Sequence, residues 1–155
     1  CKLSDEEQKF VWRMSVANSL KNPNYFQDAL ALIRRSSYPA ALARSLKVYT
    51  ELHLTDVGGQ LTSGDSTTAR LTSMLAAEAA AGHCLVLAGE LCRSRKWLLR
   101  RLASTPSCGI TVDEYLSVVL GGRRPGESDE ACALRISRWA QSQLARVEEQ
   151  ALIGR

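Results

Sequence analysis

The chain has 155 residues, 45% of them hydrophobic and 23% charged, with a formal net charge of +4. That length suits one domain with a real core, and that composition excludes a disordered tail. The most apolar window, 74–92, is interrupted by Glu78, His83 and Glu90, which excludes a membrane-spanning helix.

Only 6% of the residues are aromatic, while Ala, Leu and Arg are plentiful. Such residues lose little on entering a helix, and no stretch alternates apolar and polar residues long enough to make a strand. The expected fold is therefore all-α: a single-domain helical bundle of about six or seven helices spanning 1–155, with a central Ala/Gly-rich helix.

Ser4-Asp5-Glu6-Glu7 is a capping box. It opens a helix to about Lys21 with Phe10, Val11, Met14, Ala17 and Leu20 on one face. Asn22-Pro23-Asn24 ends it, and a second helix follows from about Tyr25 to Arg35 with Phe26, Ala29, Leu30 and Ile33 at helical spacing. Pro39 suits the first turn of a third helix, which carries Leu42, Leu46, Tyr49 and Leu52 until Gly58-Gly59 breaks it. The polar segment 55–68, with three glycines, is expected to be a flexible loop. A long helical pattern then runs from Ser66 to about Ser104, rich in Ala and Gly between Ala76 and Gly89. Small side chains let neighbouring helices approach closely, which places it at the centre of the bundle, with a bend expected near Gly82 or Ser94. Thr105-Pro106-Ser107-Cys108-Gly109 is a turn, and Thr111-Val112-Asp113-Glu114 is a second capping box starting a short helix that ends at Gly121-Gly122. The last helix starts near Ser128 and repeats Cys132, Ile136, Ala140, Leu144, Val147 and Ala151, with Trp139 beside them and Gly154 as its stop.

Five cysteines, Cys1, Cys84, Cys92, Cys108 and Cys132, form no CxxC pair. An odd count, with two inside an apolar helix, reads as reduced thiols and hence an intracellular site, cytoplasmic or nuclear. A first residue of Cys rather than Met reads as a processed product or a piece of a larger protein. No Gly-rich phosphate loop, HExxH, GxSxG or paired acidic metal motif is present. His83 and Glu90 lie seven apart with Cys84 and Cys92 nearby, so a Cys/His metal site is conceivable. Thiols acting as small hydrophobes in a packed helix are the plainer reading. The expectation is a non-enzymatic chain with no cofactor, no metal and no small-molecule substrate.

Three features are candidates for function. Arg93, Arg95, Lys96, Arg100 and Arg101, with the loop pair Arg123-Arg124, oppose only Asp113 and Glu114 over 93–124, so the positive charge is concentrated there. On one helix Arg93, Lys96 and Arg100 would form a stripe whose like charges repel and gain from an acidic counterpart, on this fold or on a partner. A solvated face near a helix C-terminus is the plainer account. A helix-turn-helix is disfavoured, because the turn before Thr111 is too long and the next helix opens with Asp113 and Glu114, which phosphates repel. The second candidate is Trp12 with Arg13, a common interface composition when exposed. The third is Leu152-Ile153, apolar residues with little chain left to cover them. Together these point to a helical protein–protein interaction or assembly domain of regulatory, scaffold or viral structural kind, binding another protein or itself as a homo-oligomer. The alternative is nucleic-acid binding through the basic residues from Arg93 to Arg124. A secreted helical cytokine is a lesser alternative, which the odd cysteine count opposes.

Overall fold

In the first turn of the chain Ser4 and Glu7 cap each other reciprocally. The Ser4 backbone N–H donates to the Glu7 carboxylate at 2.8 Å and the Glu7 N–H donates to Ser4 Oγ at 3.2 Å. This box starts α1 (Asp5–Val16) in a computed structural model that describes residues 4–16, 23–91 and 95–153. Then come α2 (Pro23–Arg35), α3 (Tyr38–Thr62), α4 (Ser66–Leu87), α5 (Leu98–Ser104), α6 (Val112–Tyr115) and α7 (Asp129–Ile153). Every regular element among the described residues is helical, and the seven helices form one compact arrangement, as the composition led us to expect.

α4 is the centre. Its Ala69, Ala76, Ala77, Ala80 and Ala81 are fully buried, and it packs on α3 along one side and on α7 along the other. α3 runs antiparallel to α4: the Ala43 carbonyl meets His83 Nδ1 at 2.9 Å, while Val57 packs with Ala69 at the other end. α7 runs parallel to α4. Asp129, at its start, accepts from Thr67 at 2.9 Å and pairs with Arg70 at 3.0 Å, and Arg146, near its end, lies against Cys84. Parallel neighbours need a crossover, and residues 88–128 supply it, laying Leu102, Cys108, Ile110, Tyr115 and Val119 into the core shared by α4 and α7. At the opposite edge α2 rests on α3 with Leu30 buried, and α1 rests on α2 with Val11 buried.

Several boundaries differ from those expected. The segment 55–68 is not a loop: α3 continues through Gly58-Gly59 to Thr62, and only Ser63–Asp65 turns. Val57 is buried against Ala69 and Ala133, and Leu61 packs beside them. Tertiary burial on the helix either side of the glycines thus outweighs their poor propensity, about 1 kcal/mol each relative to Ala. The real stop is Gly64, at φ +82°, where the Gly64 N–H bonds to Leu61 and the Asp65 N–H to Gln60. Asp65 then caps α4 by accepting from the Thr68 N–H at 3.0 Å. The expected long helix to Ser104 instead ends at Leu87, closed by the same device at Gly89 (φ +91°), with the Glu90 N–H bonded to the Leu85 carbonyl at 2.9 Å. Gly82 faces Leu46, and the helix is unbroken there.

The buried faces of α1 and α3 also differ. Phe10, expected beside Val11, is exposed, and Gln8 is buried instead. On α3, Leu42, Leu46, Thr50 and Val57 face inward, while Tyr49 and Leu52 are exposed. Thr50 enters the core because its hydroxyl donates to the Leu46 carbonyl at 2.9 Å.

At Gly58 a Cβ would meet nothing within 4 Å. Gly58→Ala is therefore expected to stabilise the fold by about 0.5–1 kcal/mol, read as a higher urea midpoint. A lower midpoint would show that this backbone is not helical.

Candidate protein-interaction face

α3 forms one edge of the α3–α4–α7 core, and its outward side carries a ridge with two exposed apolar side chains, Val48 and Leu52. Ala41, Ser45, Val48, Leu52, Thr55 and Gly59 recur at alternating steps of four and three residues. That spacing is the seam of a helix pair, yet it lies opposite the residues that pack on α4. Val48 is 46% exposed and Leu52 54% exposed, in the middle of the ridge. Ala41 and Ser45 are partly exposed, and Thr55 and Gly59 are exposed. Arg44 and Asp56 flank it on the surface, and among the described residues no carboxylate pairs with Arg44. Asp56 lies 4.0 Å from His53, its one ion-pair partner among the described residues.

The inner side of α3 holds polar groups that are already satisfied. Lys47 bridges to Glu148 of α7 at 2.5 Å and lies 3.8 Å from Glu51. Burial pushes the His83 imidazole pKa down, against the upward pull of its bond to the Ala43 carbonyl, so the ring stays neutral at pH 7. Glu90 lies beyond the end of α4, off the helix face that carries His83. Among the described residues no three His, Cys, Asp or Glu side chains converge on a metal position. Cys84, Cys108 and Cys132 are free and buried, and burial raises the pKa of Cys84 and Cys132, disfavouring their thiolates.

The basic residues are spread out by the fold. Arg93 lies outside the described residues. Arg95–Trp97 form a single 3₁₀ turn before α5, so Lys96 and Arg100 do not share one continuous α-helix. Arg95 pairs with Glu78 at 2.6 Å and Arg101 with Glu90 at 2.7 Å, the latter pair largely buried. Arg123 approaches Asp129 at 3.6 Å, a carboxylate it shares with Arg70. Arg100 lies 5.7 Å from the Trp97 ring, which is 41% exposed. Lys96 and Arg124 project into solvent. Arg101 and Arg123 thus anchor at opposite ends of α4, a helix of 22 residues and so about 33 Å long. The acidic counterparts expected for these cations are largely supplied by the chain itself.

Trp12 is half-buried on α1 with Arg13 exposed beside it. The side chains of Leu152 and Ile153 lie outside the described residues. A shallow depression of about 460 Å³ between α1 and the start of α3 is lined by Glu6, Glu7, Phe10, Val11 and Tyr38. The would-be recognition helix is used for packing: Tyr115 and Val119 are buried, and Val112 and Val118 pack against the same core. Glu114 departs from the expected box. Its N–H donates to Thr111 Oγ1 at 3.1 Å, but its carboxylate accepts from Trp139 Nε1 at 2.7 Å instead of reaching back. Trp139 is buried edge-on against Tyr115, with ring centroids 5.7 Å apart.

Val48, Leu52 and the ridge around them were missed by the sequence reading, which put Leu52 on the buried face and ended α3 at Gly58. Spacing alone could not have found it, because every face of a helix recurs at steps of three and four. No protein-family model, curated protein or solved structure matches the chain.

Proposed function

We infer that the chain is a non-enzymatic helical module that binds protein through the outward side of α3. The exposed Val48 and Leu52, at the centre of a helix-pairing ridge, carry this reading. Large apolar side chains grouped on one helix face are the usual anchor of a helix-in-groove or helix-pair interface. Gly59 on the ridge supports it. A Cβ there would meet nothing inside the chain, so the glycine serves no contact of this fold, whereas a small residue lets another backbone approach. Nucleic-acid binding is less well supported, because Arg95, Arg101 and Arg123 are committed to Glu78, Glu90 and Asp129.

Two measurements test the reading. Capture from a cell extract is compared between the native chain and Leu52→Glu, and both are titrated with duplex and single-stranded nucleic acid at two salt concentrations. The expected result is a protein retained by the native chain and lost with Leu52→Glu, with no salt-sensitive nucleic-acid binding. Identical capture by both chains, together with nucleic-acid binding that falls steeply with salt, would overturn it.

A further inference from the structure

Two parts of the surface away from the outward side of α3 have complementary chemistry. The depression between α1 and α3 holds about 460 Å³ over Phe10, Val11 and Tyr38, and the charged side chains lining it, Glu6 and Glu7, are both acidic. Phe10 is 61% exposed there. Ser4 occupies one Glu7 oxygen, Oε2, and no cation pairs with Glu6 or Glu7 among the described residues. The turn that leads into α5 has the opposite character. Trp97 is exposed with the Arg100 guanidinium over its ring, and Lys96 adjoins it on the surface. Arg95 and Arg101 are taken up by Glu78 and Glu90, whereas no carboxylate pairs with Lys96 or Arg100 among the described residues.

We propose that the chain self-associates through these two surfaces, the Trp97 turn of one copy seating in the α1–α3 depression of the next. The contact is separate from the α3 face argued above. Leu98, Leu99 and Leu102 hold α5 on the core shared by α4 and α7, while α1 stands at the edge beyond α3. The occupant is therefore Trp97 of another copy, not the chain's own.

Chemistry matches on each count. Tryptophan and arginine are the side chains that most often anchor a protein interface. The indole meets two aromatic rings, Phe10 and Tyr38, with Val11 beneath them. Arg100 travels with the indole because it already lies over it. Lys96 and Arg100 then face Glu6 and Glu7, two cations against two carboxylates, and a reversed charge on either side is rejected. The two surfaces differ, so the contact is heterologous: each copy offers one tryptophan and one depression. One such contact is smaller than the ~1,600 Å² of a standard stable interface, so association is weak and concentration-dependent.

Sedimentation equilibrium of the intact chain tests this. The average mass is expected to exceed one chain as concentration rises from about 10 µM to about 500 µM, as for a transient interface. Trp97→Ala removes the anchor and Phe10→Arg places a cation in the depression; each variant alone is expected to stay monomeric with native circular dichroism. An equimolar mixture of the two is expected to form a one-to-one heterodimer, because each supplies the surface the other lacks. Arg100→Glu and Glu6→Arg, both at exposed positions, are each expected to weaken association about fivefold or more, and their combination in one chain to restore it. Leu52→Glu, on α3, is expected to associate like the native chain.

A chain monomeric at every concentration would overturn self-association. Association that survives both Trp97→Ala and Phe10→Arg would overturn these surfaces. A mixture of those two variants that stays monomeric would overturn their pairing with each other. Loss of association in Leu52→Glu would move the contact to α3, whereas the protein-binding reading is judged separately by capture from the extract.

Discussion

Ala80→Leu is expected to lower the unfolding free energy by about 3 kcal/mol, read as a drop in the urea midpoint at pH 7. Ala80 is fully buried in the cluster that joins α4 to Ile136, Trp139 and Ala140 of α7 and to Leu54 of α3. A helix edged by Ala76, Ala77, Ala80 and Ala81 holds its neighbours at the short end of helix-pair spacing. Three extra carbons there cannot be taken up by turning the helix, because α3 and α7 lie on two of its sides. The neighbours must separate, and a gap opens at Ala77 and Ala81 as well. Leu71→Ala on the same helix is the control: Leu71 is 53% exposed, so its loss should move the midpoint little. An Ala80→Leu chain as stable as the native one would show that α4 is not clasped between two helices.

The second large effect is expected at Arg135, which ties the crossover to α7. After α6 the chain widens into one π-helical turn, Leu116–Leu120, with the Gly121 N–H reaching back five residues to the Leu116 carbonyl. Such a turn leaves carbonyls without helical partners. Arg135 supplies two of them, donating to Val118 at 2.6 Å and to Gly122 at 3.1 Å, and it grips the Glu127 carboxylate with two further bonds at 2.8 and 2.9 Å. Arg135→Met keeps the stem and removes every donor. Stranding the two carbonyls should cost about 2 kcal/mol, setting the ion pair aside.

Acid gives an independent readout of the same contact. The bonds from Arg135, helped by the Arg124 N–H, hold the Glu127 carboxyl down at about 2, against an ordinary value of 4.5. Because the folded pKa lies below the unfolded one, this stabilisation is complete above about pH 4.5 and fades as pH falls toward 2. Followed by NMR, Glu127 should titrate near 2 in the native chain and close to its ordinary value in Arg135→Met. An unchanged Glu127 midpoint in the variant would rule out the Arg135 grip as the cause.

What could be read from the residues was local. The Ser4–Glu7 box, the start of α4 after Asp65 and the Ala-rich character of the central helix follow from side chains a few positions apart, and the structure has each of them. Helix ends were harder. Gly58-Gly59 has the composition of a stop, but a glycine ends a helix only when the chain beyond it turns into the left-handed region, as at Gly64 and Gly89. Which glycine does so depends on what the flanking residues bury, and Val57 and Leu61 bury against α4 and α7. The inward side of α3 was hidden by Thr50, a polar residue satisfied by its own helix, so that the apolar Tyr49 and Leu52 looked like the better choice. The basic stripe dissolved because Glu78 and Glu90, which precede the basic run in the chain, are brought beside Arg95 and Arg101. The crossover that makes α4 and α7 parallel left no trace in spacing at all.

Building the middle of the bundle from alanine also changes how its order is acquired. Locking a buried leucine forfeits about 0.5–1 kcal/mol of rotamer freedom, whereas a methyl group has none to lose. Ala69, Ala76, Ala77, Ala80 and Ala81 therefore pass from the disordered chain to the interior with only their backbones to restrain. Alanine is also the residue that restrains its own backbone into a helix most readily. The Ala-rich stretch of α4 thus has little side-chain entropy to surrender, and the larger side chains of α3, α7 and the crossover carry that loss on its behalf.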